Sequence, residues 1–100
     1  MEQPENVYVV KWSNDAKHEL KSIFNYIKQD SLQNAKLVKN RILETSRSLR
    51  TMPERYEVYE PMRNIPGNYR VKEISSYLLI YDITASEVHI VKIMHVREQK

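Results

Sequence analysis

The pattern of apolar and polar positions predicts one strand, two helices and then a series of strands. Residues 7–12, Val-Tyr-Val-Val-Lys-Trp, are mostly β-branched or aromatic, which is typical of a strand. Because both faces of this strand are apolar, we expect it to lie in the interior of a sheet. Ser13 or Asn14 can cap the helix that follows, and Asp15 in its first turn complements the positive end of the helix dipole.

Two amphipathic helices are predicted next. The first carries one apolar stripe at helical spacing, formed by Ala16, Leu20, Ile23, Phe24 and Ile27. Asp30, with Gln33 three residues later, resembles a capping box at the start of the second helix. A second apolar stripe continues to Leu49, and Pro53 is expected to terminate that helix. Because the link between the helices is short, we expect an antiparallel hairpin that packs against a sheet.

The remaining residues are predicted to supply that sheet. Segments 56–59, 69–75, 77–84 and 88–95 are rich in β-branched, aliphatic and aromatic residues, and the last two are joined by a link of hairpin length at 85–87. The first six residues and the Pro-containing stretch 60–67 resemble linkers. The predicted order is therefore strand, helix, helix and a β-rich meander.

Length and composition exclude several classes of protein. One hundred residues with a mass of 12.0 kDa are enough for one hydrophobic core, so we expect a single domain over residues 1–100. The sequence has no cysteine and one glycine, which excludes disulfides, thiolate zinc sites and Gly-rich phosphate loops. No histidine has a partner at a metal-binding spacing, and we expect neither a metal nor another cofactor.

The location of the protein is also predicted by composition. No apolar run approaches the roughly 18 residues that a bilayer span requires. The first five residues are acidic where a secretory signal would be basic and then apolar. We therefore expect a cytoplasmic protein that has no membrane partner.

Basic residues are concentrated in the second predicted helix. Sixteen Lys and Arg against thirteen Asp and Glu give a net charge of +3. Between residues 34 and 50 the basic residues are Lys36, Lys39, Arg41, Arg47 and Arg50, and the only acidic residue is Glu44. This face is either solvated surface or a docking site for an acidic partner or for phosphates.

Two pairs of residues are candidates for chemistry. If the last strand continues, His95 and Arg97 point to the same side of the sheet. A histidine can then move a proton while the arginine stabilises a phosphorane, as cleavage of RNA by its own 2′-hydroxyl requires. Arg70 and Lys72 form a second same-face pair that can bind a phosphate backbone or carboxylates. The simpler alternatives are a solvent-exposed strand end for the first pair and cross-strand pairing with glutamates for the second.

Five segments, in order, resemble toxins of the RelE/ParE superfamily, from bacterial type II toxin-antitoxin systems. They are 8–13 with the helix that follows it, 49–53, 69–71, 77–83 and 90–97, the last closing with His-x-Arg. The resemblance implies an α+β fold in which an N-terminal strand and an antiparallel two-helix hairpin accompany a small twisted, mainly antiparallel β-sheet. It also implies a toxin that a cognate antitoxin neutralises.

The superfamily has two branches. RelE-like members cut messenger RNA on the ribosome, whereas ParE-like members poison DNA gyrase. RelE-like ribonucleases carry an arginine after the first tyrosine of the strand Tyr-Arg-Leu-Val-Tyr, and this sequence has Leu78 at that position. They also tend to end in a tail with a further tyrosine, whereas this sequence ends soon after Arg97. The resemblance therefore favours a ParE-like toxin that inhibits growth by binding gyrase. The alternatives are a ribosome-dependent mRNA endoribonuclease (an mRNA interferase) and, outside toxins, a protein-interaction domain without toxicity.

Each hypothesis assigns roles to particular residues. In an endoribonuclease the catalytic candidates are His95, Arg97, Arg70 and Lys72. The residues expected to bind protein partners are Lys36, Lys39, Arg47, Arg50 and Arg97. The expected partners are an acidic, partly disordered antitoxin, which can form a hetero-oligomer with the toxin, and a target that is either gyrase or the ribosome with its mRNA.

Overall fold

The computed structural model describes residues 7–98, so the predicted linker at residues 1–6 lies outside the described residues. The helices and strands are β1 (Val9–Trp12), α1 (Asn14–Lys28), α2 (Leu32–Ser48), β2 (Glu57–Val58), β3 (Tyr69–Ile74), β4 (Tyr77–Ile83) and β5 (Glu87–His95). Short 3₁₀ turns occupy Pro53–Arg55, Glu60–Met62 and Val96–Glu98. This order confirms the predicted α+β fold. Within residues 7–98, neither helix combines the length and the apolar character that a bilayer span requires.

The five strands form one sheet in the order β1-β5-β4-β3-β2. All neighbours are antiparallel except β1 and β5, which are parallel. The prediction that the first strand is interior is therefore wrong, because β1 lies at an edge. Its side chains alternate between half-buried positions such as Val10, which packs on the helix side, and exposed ones such as Val9, which is 55% exposed. The apolar residues on its second face are simply accessible to solvent.

Serine side chains begin both helices. Ser13 Oγ accepts a hydrogen bond from the backbone N of Ala16 at 3.0 Å, which confirms one of the two predicted caps. The second helix is capped by Ser31, whose Oγ accepts from the backbone N of Asn34 at 3.0 Å. The predicted capping box at Asp30 is therefore wrong by one residue. The backbone N–H of Asp30 still bonds to a carbonyl in the last turn of α1, so this residue belongs to the end of the first helix.

The second helix ends before the proline that was expected to stop it. The backbone N–H groups of Leu49 and Arg50 bond to carbonyls three residues earlier, so the last turn tightens and α2 ends at Ser48. Pro53 instead starts a 3₁₀ turn, and its carbonyl accepts a hydrogen bond from the Tyr81 hydroxyl at 2.7 Å. Burial raises the pKa of Tyr81, so this hydroxyl stays protonated and remains a donor.

Both faces of β4 are buried, in two separate clusters. On the helix side, α1, α2 and the sheet enclose the main core of Ala16, Val38, Ile42, Leu49, Ile74, Tyr77, Leu79, Tyr81, Ile83, Val88, Ile90 and Ile93. On the other side, the buried residues are Tyr59, Leu78 and Ile80. Because alternate residues of a strand point to opposite faces, the continuous apolar run of β4 fits a central strand that is covered on both sides.

An irregularity in β5 changes the direction of its last residues. Tyr81 of β4 pairs with Ile90, but the preceding Ile80 pairs with Lys92, so Val91 is an extra residue. Such a bulge bends the strand and breaks its alternation. Ile90 and Ile93 consequently share the helix-side core although they are three residues apart.

Core packing predicts unequal effects for two isoleucines that lie in the middle of the helical stripes. Ile42 is fully buried, so we expect Ile42→Ala to lower the free energy of unfolding by about 2–5 kcal/mol. Ile23 is only half-buried at the rim of the core, and Ile23→Ala should cost about 1 kcal/mol. Urea denaturation of both variants measures these losses. If both variants lost the same free energy of unfolding, Ile23 would contribute to the core as much as Ile42 does, contrary to its partial exposure.

The hairpin between β3 and β4 predicts a stabilising change. Its two turn residues, Ser75 and Ser76, have φ angles of 52° and 72°, which serine adopts at a cost. Asn-Gly is the preferred pair in such a turn, so the double variant Ser75→Asn/Ser76→Gly should gain about 1 kcal/mol in denaturant unfolding. Ser86→Gly, in the other hairpin where φ is not positive, is the control and should be neutral or destabilising. A loss in the double variant would contradict the assignment of strain to this turn.

Candidate functional site

A groove of about 600 Å³ lies between α1 and the end of β5. It exists because β1 is short: it pairs only with residues 87–90 of β5, and beyond them no other described strand covers that edge. The groove is lined by Glu19, Ser22, Ile23, Tyr26, Tyr77, Lys92, Ile93, Met94, His95, Arg97 and Glu98. The lining therefore combines apolar and aromatic side chains with four charged ones, Glu19, Lys92, Arg97 and Glu98.

Two carboxylates occupy the backbone donors on this strand edge. Glu19 accepts from the backbone N of Ile93 at 2.8 Å through Oε1 and from Lys92 Nζ at 2.9 Å through Oε2. Glu98 Oε1 accepts from the backbone N of His95 at 2.9 Å. The hydrogen bond with Glu19 raises the pKa of Lys92, so this ammonium group is charged at neutral pH and its charge is locally balanced. Side chains thus satisfy the donors that a neighbouring strand would otherwise bind.

His95 and Arg97 lie together in the groove, but a turn brings them together and not a continued strand. β5 ends at His95, and Val96–Glu98 forms the 3₁₀ turn. The backbone N of Arg97 donates to His95 Nδ1 at 3.1 Å, so the neutral imidazole carries its proton on Nε2. The ring also packs edge-on against Tyr77, with centroids 5.2 Å apart. The Arg97 side chain is exposed.

Arg70 and Lys72 lie on β3, and their surroundings differ from the predicted glutamate pairs. The Arg70 guanidinium donates to the carbonyl oxygens of Glu54 and Tyr56, at 3.0 Å each. The Lys72 ammonium lies 5.0 Å from the centroid of the Tyr56 ring. These contacts hold the segment after α2 against the sheet. The Arg70 guanidinium therefore binds backbone carbonyl oxygens and not the carboxylate of a glutamate on a neighbouring strand.

The two candidate pairs are far apart on the sheet. His95 lies opposite Tyr77 of β4, whereas Arg70 lies opposite Tyr81 on the other side of the same strand. With a rise of about 3.3 Å per residue and about 4.8 Å between strands, their backbones are roughly 16 Å apart. The structure does not bring the four candidate catalytic residues into one centre.

Leu78 occupies an apolar site on the outer face of the sheet. It is only 7% exposed and belongs to the cluster with Tyr59 and Ile80. The position at which RelE-like ribonucleases place an arginine is therefore filled by a packed aliphatic side chain. No group of three or more His, Asp or Glu residues that could hold a metal occurs within the part of the chain that is described.

The residues expected to bind partners divide between two sides of α1. Arg97 lines the groove, whereas Lys39 lines a smaller pocket on the other side of α1, and Lys36, Arg47 and Arg50 are exposed on or just after α2. Glu19 is not among the predicted site residues. In the sequence it is a polar residue beside the apolar stripe of α1, and nothing marks its contact with a strand 74 residues away.

The bond between Glu19 and the strand edge predicts a difference between two substitutions. Glu19→Ala leaves the partly buried N–H of Ile93 without its acceptor and should cost about 1–3 kcal/mol of stability. Glu19→Gln keeps an amide oxygen for that bond and loses only the ion pair with the exposed Lys92, so it should cost less than about 1 kcal/mol. Denaturant unfolding and hydrogen exchange at the Ile93 amide measure both effects. If both variants were destabilised equally, the stabilising effect of Glu19 would come from its ion pair with Lys92 and not from its bond to the Ile93 amide.

Comparisons with known proteins agree with this architecture. The family model described as the ParE toxin of the type II toxin-antitoxin system parDE matches residues 10–100. A search of curated proteins found no match. A solved structure described as a chromosomal ParDE toxin-antitoxin system from P. aeruginosa is similar in fold, with a TM-score of 0.72 and 17% identity over 90% of this chain and 97% of that chain. The chain therefore belongs to the ParE family of type II toxin-antitoxin toxins.

Proposed function

We propose that this toxin inhibits growth by binding DNA gyrase, without cutting messenger RNA, and that a cognate antitoxin neutralises it. The observation that carries the proposal is the separation of the candidate catalytic residues. Cleavage of RNA requires a proton-transfer group and a stabilising cation at the same phosphate, within hydrogen-bonding reach. The backbones of Arg70 and His95 are roughly 16 Å apart by strand geometry, and the Arg70 guanidinium is bound to the carbonyl oxygens of Glu54 and Tyr56, which supports separate roles for the two residues.

The electrostatics of the groove also favour a protein partner over RNA. Glu19 and Glu98 place two carboxylates along it, and Lys92 is already paired with Glu19. The groove has one lysine and one arginine, Lys92 and Arg97, and only Arg97 forms no ion pair with another residue of the range 7–98. A phosphate backbone needs several uncompensated cations, so a polyanion is poorly matched to this surface.

The groove has the composition of a protein-binding hot spot. Ile23, Ile93 and Met94 provide apolar walls, Tyr26 at the rim is 69% exposed, and Arg97 projects beside them. Exposed tyrosine and arginine around an apolar centre are the residue types that contribute most to protein–protein affinity. We therefore assign target binding to this groove. An interaction with gyrase also implies that the toxin acts in the cytoplasm.

One observation favours the alternative, a RelE-like ribosome-dependent endoribonuclease. His95 and Arg97 are adjacent in the groove, and with Nδ1 occupied the Nε2 atom of His95 is left for a substrate. In that mechanism the imidazole would transfer a proton and the guanidinium would stabilise the phosphorane. This alternative predicts that His95→Ala and Arg97→Ala abolish activity equally, whereas gyrase binding predicts a larger effect for Arg97→Ala.

The two functions are distinguished by two measurements in the same cells. After induction of the toxin, we expect gyrase-linked DNA breaks and a DNA-damage response, with messenger RNA intact. Because a hot-spot arginine contributes about 2 kcal/mol or more, Arg97→Ala should weaken binding to purified gyrase at least 10-fold, and His95→Ala should have a smaller effect. Arg63→Ala, which removes an exposed arginine paired with Glu60 on a distant loop, is the control and should leave binding unchanged.

Other outcomes would contradict the proposal. Rapid codon-phased cuts in messenger RNA without DNA breaks, abolished equally by His95→Ala and Arg97→Ala, would assign the endoribonuclease function. An absence of growth arrest when the wild-type chain is expressed alone would instead favour an interaction domain without toxicity. Thermal unfolding of each variant is needed beside these measurements, so that a loss of folding is not mistaken for a loss of function.

A further inference from the structure

Exposed basic residues share one side of the helical hairpin. At about 100° per residue, those on each helix lie within about 80° of one another, so each helix presents one row of cations. The rows are Lys17, Lys21 and Lys28 on α1, and Lys36, Lys39 and Arg47 on α2. We call these six residues the cationic face.

The two rows meet at a shallow pocket between the helices. It has a volume of about 160 Å³ and is lined by Lys17, Leu20, Lys21, Phe24 and Lys39. The Lys39 ammonium lies 5.3 Å from the centroid of the Phe24 ring, so this cation of α2 sits over a side chain of α1. The rows therefore form one continuous surface on which both helices can contact the same ligand.

The charges of the cationic face are not compensated. None of its six residues forms an ion pair with another residue of the range 7–98. The acidic residues of α1, Asp15 and Glu19, lie on the opposite side of that helix by its periodicity. The α1–β5 groove differs in this respect, because Glu19 pairs with Lys92 there. The hairpin thus has the several free cations that a phosphate backbone needs and that the groove lacks.

The composition of this face is typical of phosphate binding and not of a protein interface. The centres of protein interfaces are depleted of lysine and are formed by aromatic residues, methionine and arginine in desolvated pockets. Here five of the six residues are exposed lysines. The pocket at the centre is smaller than the roughly 300–1,000 Å³ of small-molecule sites, so we expect contact with phosphates on its rim and no inserted base.

The dimensions of the cationic face also fit a DNA duplex. Each row extends over eleven residues, or about 16 Å of helix, and packed helices lie about 8–10 Å apart. A duplex carries one phosphate charge per 1.7 Å or so of its axis, which gives about nine over 16 Å. Phosphates therefore outnumber the cations, and every cation can find one without a particular register on the duplex.

The cationic face and the α1–β5 groove lie on nearly opposite sides of α1. Lys17 and Lys21 belong to the face, whereas Glu19, Ser22 and Tyr26 line the groove. At about 100° per residue, the two sets point in nearly opposite directions from the helix axis. A partner can therefore occupy the groove and leave the cationic face accessible.

We propose that the cationic face binds the phosphate backbone of a DNA duplex, independently of its sequence. In the cell the duplex is the one that gyrase holds, so that the groove contacts the enzyme and the hairpin contacts its DNA. This second step rests on the proposed function. Binding of the duplex by the toxin alone does not depend on it.

The first test measures duplex binding by the full-length toxin without other proteins. The probes are two 20-base-pair duplexes of unrelated sequence and a polyglutamate of the same total charge. We expect equal affinity for the two duplexes within twofold, because phosphate contacts carry no sequence information. Polyglutamate should bind at least 10-fold more weakly, since its charges must first be ordered. With all six cations on phosphates, the logarithm of the binding constant should fall with the logarithm of salt concentration with a slope of about −5.

Substitutions locate the site on the hairpin. Lys17→Gln/Lys21→Gln should weaken duplex binding at least 10-fold at low salt and reduce the magnitude of the salt slope by about 2. Arg41→Gln/Arg63→Gln makes the same change in net charge at exposed positions outside the cationic face. This control should change the affinity less than threefold and leave the slope unchanged. Circular dichroism and thermal unfolding establish that each variant is folded.

The second test measures binding to purified gyrase with and without bound linear DNA. DNA should raise the affinity of the wild-type toxin at least fivefold. Lys17→Gln/Lys21→Gln should lose this increase and keep the wild-type affinity for gyrase without DNA. Arg97→Ala should show the reverse, with weaker binding to gyrase without DNA and unchanged binding to the duplex alone.

Several results would overturn the proposal. They are no binding of either duplex at low salt, a strong preference for one duplex sequence, equal affinity for the duplexes and polyglutamate, and equal losses in the face and control variants. Gyrase binding that DNA does not strengthen would overturn the contact with the enzyme's DNA. An absence of gyrase binding beside intact duplex binding would refute the proposed target and leave the DNA site standing.

Discussion

The parallel pairing of β1 with β5 is the interaction on which the rest of the architecture depends. Parallel neighbours cannot be joined by a tight turn, so the chain must leave β1 and cross the sheet before it returns. The helical hairpin begins that crossover and buries its apolar side on one face of the sheet. The length of β1 then determines where the α1–β5 groove lies, because β5 continues past residue 90 with an edge that β1 does not cover.

The hydrophobic pattern predicts the order of the helices and strands because each helix buries an apolar stripe and the central strand β4 is a continuous apolar run. The predictions are wrong where the pattern within one strand does not determine how that strand pairs with its neighbours. The run at 7–12 is apolar on both faces, yet β1 lies at an edge and exposes Val9. The bulge at Val91 has no sequence signal, since Val88 to Met94 looks like an uninterrupted strand. An added residue in a ladder is a property of the pairing between strands, which periodicity within one strand does not report.

The candidate site was predictable only where its residues are neighbours in sequence. The pairing of His95 with Arg97 is predictable because they are two residues apart, although a turn joins them and not an extended strand. Arg70 has the residue type of a phosphate ligand, but its guanidinium binds the carbonyl groups of the segment after α2. The role of Glu19 is not predictable from local pattern, because its partners Lys92 and Ile93 are on β5, more than 70 residues away. Such contacts follow from the tertiary arrangement and not from local pattern.

The pairing of the first described strand with the last also has a consequence for the order of folding. Val9 to Trp12 acquire their neighbours only when residues 87–90 are available, so the sheet has a high contact order at its β1 edge. During synthesis β1 therefore stays unpaired until the helices and the remaining strands have emerged from the ribosome. A groove formed by α1 and the end of β5 therefore cannot exist on a nascent chain that lacks β5. Any activity that depends on this groove begins only after nearly all of the described chain has been made.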